Sequence, residues 1–576
     1  MHAVHEFWKP GVNAGSYFSQ VHAQMLGVSV DAGERDIVME FFELFKTPWE
    51  FCRPDEQYDV VLCTSNISRC NASRLLLVFE SGAIPFDKQH RIKGRSRAGG
   101  LIISDEGKRL PIYGPLTTFP NSPDWVLKEE TTQEPAAFVR RSGSTTVLRV
   151  GYNLFNEVRH LLTVGQPVAN AGIPTLEEHI GWLRDWITMA GVPSVEIPPV
   201  PDGYNFVSCL THDIDHPALR NHWCDHTMFG FLYRSTIGTL VNVCRGRKPF
   251  KSLWRNWGAA WRLPLVHLEM ATDFWAGFDR YLELEHGHGA TFFVIPRRDY
   301  AGRTTNGPAP SARACRYDIE QLLPKLKRII SEGCEVGVHG LDAWLDVEEG
   351  RNEREHLSQS IGTGELGVRM HWLFFNENSP VVLERAGFSY DATVGYNETI
   401  GYRAGTTQVY KPPGVAKLLE LPLHVMDTAL FYPGYLNLSE YEAERLVLGL
   451  LNDAQRIGGA LTINWHDRSI APERLWGDFY LRLLRELNNR GAWLPNAAMA
   501  VAWFRKRRSA AIEWSWSGTG TIRVKGSLDT ADTLPSLKIR VFKPRAQSLS
   551  EPVGARRPPE FLEQRFNRTT DLNFAV

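Results

Sequence analysis

The chain has 576 residues, 43% of them hydrophobic, and its 64 lysines and arginines nearly cancel its 65 aspartates and glutamates. That length exceeds a single hydrophobic core and calls for about two to four domains of roughly 100–200 residues each. So even a balance of charge gives no net field to draw nucleic acid or an anionic membrane as the main partner, and a small or neutral polar ligand fits better. The opening Met1–Pro10 has no basic segment followed by an apolar one, and no uninterrupted apolar stretch reaches the roughly 18 residues of a membrane span. The expectation is a cytoplasmic protein with no integral membrane segment. Eight scattered cysteines without a C-x-x-C pair indicate neither a zinc ribbon nor a disulfide framework. The 18 tryptophans and 29 phenylalanines suit packed cores and also carbohydrate clefts.

In chain order, residues 1–200 read as an N-terminal mixed α/β domain. Tyr58–Cys63 and Arg74–Phe79 have strand composition, and Thr175–Ala190 has helical spacing, with Thr175 placed as its cap and Glu177 and Glu178 in its first turn. The run Arg91–Gly100, with Lys93, Arg95 and Arg97 among glycines, is either a solvated loop or a phosphate contact. Five prolines or glycines in Pro193–Gly203 mark a boundary. From 204 to 508 short apolar runs alternate with helical stretches, the pattern of βα units and a parallel sheet or barrel. The strands expected are Phe206–Leu210, Ala290–Ile295, Cys334–Val338, Gly367–Met370, Leu419–His424 and Ala460–Asn464. A Trp- and Arg-rich insertion at about 219–270 should cover the barrel mouth or pack on the first domain, and 299–312 reads as a mobile loop. Residues 509–576 form a small β module, with strands at Ile512–Trp516, Thr521–Val524 and Leu537–Phe542, and a tail from Glu551.

Chemistry concentrates at the first barrel strand, where Phe206–Leu210 runs into Thr211-His212-Asp213-Ile214-Asp215-His216. Side chains alternate along a strand, so Asp213 and Asp215 share a face while Ile214 turns to the core. Such a pair can divide labour, one carboxylate binding a divalent cation and the other free as general base. Strand-end residues gather on one rim of an α/β barrel. His339, His371 and His466 also stand at expected strand ends, and together with the aspartates they suit zinc or a similar divalent ion.

These residues resemble the polysaccharide deacetylases with a NodB-homology domain, over about residues 204–505. Thr211–Asp215 looks like the family's D-x-D motif, Gly333–His339 like its second motif, Gly367-Val-Arg369 like its arginine motif, Leu383–Thr393 like its "AGF-YDSS" segment, and Asn464-Trp-His466 like its last motif. The resemblance implies an α/β fold: a distorted (β/α) barrel at 204–508, between the N-terminal α/β domain and the small β module. It implies Asp213 as general base, Asp215 and His339 as ligands of a divalent metal such as zinc, Arg369 as the tether of Asp213, and His466 as general acid. Position 343, where the family places a second histidine, is alanine, with Asp342 one residue out of register; His371 is taken as the third ligand. Asp391 or Asp427 would hold His466 cationic, and Arg403 and Asp427 are assigned to the substrate side. The implied activity is hydrolysis of an N-acetyl or related acyl group on an amino sugar, with a carbohydrate as partner. A small cyclic amide as substrate, or a carbohydrate-binding or scaffold protein with a degenerate site, are the alternatives.

Overall fold

Runs of branched apolar residues too short for helices become the buried strands. The structure, a computed structural model, describes residues 26–576 except 55, 65–70, 106, 121, 247, 472–473, 475, 517–519, 529–531, 546 and 552–555. In the first region Leu75–Phe79 is buried on both faces, as a strand inside a covered sheet must be. It belongs to a nine-stranded sheet, in order Trp49–Phe51, Leu26–Ser29, Gln57–Cys63, Asn71–Phe79, Thr145–Val150, Pro135–Ser142, Trp125–Glu129, Leu101–Ser104 and Arg109–Ile112. Two sequence expectations change here. Arg95–Arg97 is itself a strand rather than a loop, paired with Leu116–Thr118, and both arginines share one carboxylate, Glu134. Thr175 does not cap the helix Thr175–Met189; Pro174 precedes it, and the Thr175 hydroxyl donates to Gln166 Oε1 at 2.7 Å.

The central region is a curled parallel sheet. Its strands run in the order Leu419–Glu420, Tyr390–Asp391, Val368–Met370, Glu335–Gly340, Ala290–Val294, Phe206–Ile214, Ala460–Asn464 and Leu423–Met426, with Ala492–Trp493 beside the Phe206–Ile214 strand. The sheet is a curled parallel half-barrel whose path begins and ends on one chain segment, Leu419–Glu420 beside Tyr390–Asp391 and Leu423–Met426 beside Ala460–Asn464. Pro422, which has no N–H to give a ladder, divides the single strand expected at Leu419–His424. Tyr390–Asp391 and Ala492–Trp493 are two residues each, too short to register as hydrophobic runs. Leu210, Phe292, Val338 and Ile463 anchor a continuous core beneath the strand ends.

Three helices, His226–Tyr233, Thr239–Cys244 and Lys251–His267, make up most of the insertion. They pack through Leu219, Phe231, Leu263 and Trp275 above the mouth of the half-barrel. The 299–312 segment is tied down rather than loose, because buried Asp342 accepts from Tyr300 Oη at 2.6 Å and from the Arg303 amide at 2.7 Å. The C-terminal module reaches further in both directions than expected. Ser194–Glu196 pairs with Leu537–Phe542 across the expected boundary, and the expected tail supplies the strands Phe561–Phe566 and Thr570–Ala575. Each of those last two strands buries one aromatic deeply, Phe566 and Phe574, which leaves little hydrophobic pattern to read. Among the described residues no helix is long and apolar enough to cross a membrane.

Candidate metal centre and hydrolytic site

The Phe206–Ile214 strand is buried throughout and ends with Asp213 facing a cavity of about 610 Å³. Both oxygens of Asp213 are held: Oδ1 accepts from Arg369 Nη1 at 3.0 Å, and Oδ2 from Asn464 Nδ2 at 2.7 Å. Arg369 is fully buried, donates also to Thr211 Oγ1 at 2.7 Å and to the Ala392 carbonyl at 2.9 Å, and lies over the ring of Phe293. Burial alone would raise the Asp213 carboxyl, but the charges of His339, Arg369 and His466 outweigh it and hold the group below the usual carboxylate range.

Asp215, two residues on, faces the same cavity while Ile214 is 1% exposed, as strand alternation requires. Its Oδ1 is buried and accepts no hydrogen bond, and it lies 3.4 Å from His339 Nε2 and 3.4 Å from His371 Nδ1. The two imidazole nitrogens are 2.9 Å apart. His339 Nδ1 lies 2.9 Å from the Arg369 carbonyl, which can only accept, so Nδ1 carries a proton and Nε2 is the nitrogen turned toward the cluster. Burial depresses the His371 imidazole to about 3, keeping it neutral. One carboxylate oxygen and two imidazole nitrogens converging within 4.8 Å of one another are a donor set that suits a divalent cation. Zinc bonds of about 2.0–2.1 Å in tetrahedral array put neighbouring ligand atoms roughly 3.3 Å apart, close to the two 3.4 Å separations made by Asp215. Ala343, where a histidine was expected, is wholly buried, and Asp342 points to the 300–303 segment rather than the cluster.

His371 is aimed by two features that the sequence did not reveal. Trp372 and Leu373, both non-glycine, take left-handed backbone conformations with φ of 60° and 54°, an arrangement costing about 1–2 kcal/mol per residue. Arg313, 1% exposed, locks this turn by donating through Nη2 to the carbonyls of His371 at 2.9 Å and Leu341 at 3.0 Å.

His466, just past the Ala460–Asn464 strand, directs Nε2 toward the cluster, 3.8 Å from Asp215 Oδ2. Asp427 holds it from behind with both oxygens, one 2.6 Å from Nδ1 and the other accepting the His466 amide at 2.7 Å. Burial disfavours the imidazolium, but the Asp427 carboxylate outweighs this and lifts it to about 9. Asp427 is fully buried, so it positions His466 rather than meeting substrate. Asp391 accepts from Thr393 Oγ1 at 2.5 Å and lies beside Glu420, away from His466. Arg403 is also outside the cavity. Its Nη1 donates to the Gly395 carbonyl at 2.8 Å and its own carbonyl accepts the Gln166 amide at 2.7 Å, so it joins the central sheet to the first domain. His212 points the opposite way from Asp213, into the core, where it meets Glu285 and the Trp465 carbonyl.

The cavity therefore gathers Asp213, Asp215, His339, His371 and His466, with Trp372, Tyr432, Tyr435 and Trp476 among its walls. No protein-family model and no curated protein sequence matches the chain. Among solved structures it is similar to a putative polysaccharide deacetylase from Mycobacterium smegmatis, at 18% identity over 54% of this chain and 94% of that one, TM-score 0.33. It is similar to Puue allantoinase at 14% identity over 54% and 93%, TM-score 0.33. It is similar also to Agd3, described as a novel carbohydrate deacetylase, at 9% identity over 96% and 99%, TM-score 0.36.

Proposed function

We propose that this protein is a metal-dependent amide hydrolase that removes an N-acetyl or related acyl group from an amino sugar. The observation that carries the proposal is the buried, unbonded Asp215 Oδ1 between His339 Nε2 and His371 Nδ1, beside an ionised carboxylate and a cationic imidazole. Asp215, His339 and His371 would hold a divalent cation, which when bound supplies Lewis acidity, polarising an amide carbonyl and acidifying water. Asp213 takes a proton from the water that adds to the acyl carbon. Arg369 and Asn464 fix the orientation of that base and keep it ionised. His466, protonated through its bond to Asp427, gives its Nε2 proton to the departing nitrogen as the C–N bond breaks, because an amide anion is too poor a leaving group. The proton gained by Asp213 offsets the one given by His466, and the carboxylic acid and amine formed end as carboxylate and ammonium, so atoms and protons balance.

The walls favour a sugar over a small cyclic amide. A cavity of about 610 Å³ lined by Trp372, Tyr432, Tyr435 and Trp476 offers apolar faces on which pyranose rings stack. The test is elemental analysis of the purified protein and of Asp215→Ala, His339→Ala and His371→Ala, with acetate release from N-acetylated oligosaccharides as the assay. About one divalent ion per chain, lost in each variant together with activity, is expected. A protein that takes up no zinc, cobalt or nickel would sink the proposal. Asp213→Asn should bind metal normally while kcat drops by roughly 10²–10⁴-fold.

A further inference from the structure

Between His226 and Leu268 the sequence holds seven arginines or lysines and no aspartate or glutamate, in a chain whose total charge nearly balances. The helix Lys251–His267 in this segment has two apolar faces. One, Leu253, Asn256, Ala259, Leu263 and Val266, is buried against the rest of the insertion. The other points outward: Trp254 is 70% exposed, Trp261 83% and Leu265 41%, continued past the helix ends by Phe250 at 67% and Leu268 at 66%. Nearby Tyr233, Ile237 and Leu240 are exposed as well. Monomeric soluble proteins rarely leave so many large side chains in one patch without a partner.

The charges beside this patch indicate what covers it. Among the described residues Arg245, Lys251, Arg255 and Arg262 make no ion pair with any carboxylate. Arg245, Lys251 and Arg255 also line a second cavity of about 520 Å³, which shares Arg234, Arg474 and Trp476 with the wall of the metal-site cavity. Exposed tryptophan and leucine flanked by unneutralised cations is the composition of a segment lying in the interface of an anionic bilayer. We propose that the 226–268 insertion is a docking surface for an anionic phospholipid membrane. The outward helix face enters the headgroup region, the arginines and lysines pair with lipid phosphates, and the site's mouth, covered by the same insertion, opens beside the leaflet.

The experiment is co-sedimentation with vesicles of phosphatidylcholine alone and of phosphatidylcholine mixed with phosphatidylglycerol, at low and high salt. Wild-type protein should pellet with the mixed vesicles, less with phosphatidylcholine alone, and be released by salt. Trp254→Ser/Trp261→Ser and Arg255→Glu/Arg262→Glu should each weaken partitioning at least about tenfold. Both pairs are exposed, so metal content and circular dichroism should match wild type and exclude misfolding. No pelleting with mixed vesicles, or equal pelleting of wild type and variants, overturns the proposal. So does a concentration-dependent dimer that Trp261→Ser abolishes and that ignores vesicles, which would assign the face to a second copy. None of these readouts uses the hydrolytic activity, so this inference and the proposed reaction fail separately.

Discussion

His466 shows how one buried neighbour sets the chemistry of a side chain. Asp427 spends both oxygens on it, one on Nδ1 and one on the backbone amide, which fixes the ring's orientation and its charge together. Replacing Asp427 with Asn keeps the shape but removes the charge that holds the imidazole protonated, so kcat should fall about 10²-fold or more. Metal content should not change, because Asp427 is not among the converging donors. A variant with wild-type kcat, or one that loses its metal, would remove Asp427 from this role. Strand alternation and strand ends marked Asp213, Asp215, His339, His371 and His466 in the sequence, and the family resemblance marked Arg369. Asn464 as the second tether of Asp213, and Arg313 behind His371, were not legible there. Their contacts span 251 and 58 residues of chain.

At the scale of elements, the turn after Val368–Met370 carries the third converging donor on a backbone that resists its own conformation. Two successive left-handed residues persist there because Arg313 reaches across from the 299–313 segment and bonds the carbonyl of His371 itself. Arg313→Met removes the donors while conserving most of the volume. It should weaken metal binding by roughly 10–100-fold, the usual cost of losing a group that orients a ligand. Titration with zinc or cobalt measures this, and affinity equal to wild type would show that the turn holds without the arginine. The same segment explains why the expected mobile loop is ordered. Asp342, directed away from the candidate metal site, clamps Tyr300 and Arg303.

Across the whole molecule, the first domain and the half-barrel meet through buried polar groups as well as apolar ones. Glu177 accepts the Thr407 amide at 3.0 Å, and burial pushes its carboxyl from 4.5 up to about 7 despite that bond and the Thr406 hydroxyl. A group that holds its proton more tightly when folded stabilises the fold fully below its unfolded value of 4.5, and that stability drains away as pH rises through about 7. Above that pH the loss amounts to about 3 kcal/mol. Glu177→Gln should flatten this fall, seen as a denaturation midpoint that changes less between acid and neutral buffer than that of wild type. Equal pH dependence in the two proteins would locate the effect elsewhere.

Taken alone, the amino-acid sequence determined the α/β alternation, the central parallel strands and the polar residues at their ends, because periodicity and strand-end position are local properties of the chain. It also held the run of uncompensated positive charge at 226–268, hidden in a total that sums to nearly zero. Tertiary structure alone decided that both ends of the curled sheet fall on the one segment divided by Pro422, that Asp427 rather than Asp391 supports His466, that Arg403 belongs to a domain contact, and that Ser194–Glu196 joins a β module more than 300 residues away. Each of those outcomes depends on which distant segments fill the space beside a residue, and no local pattern carries that information.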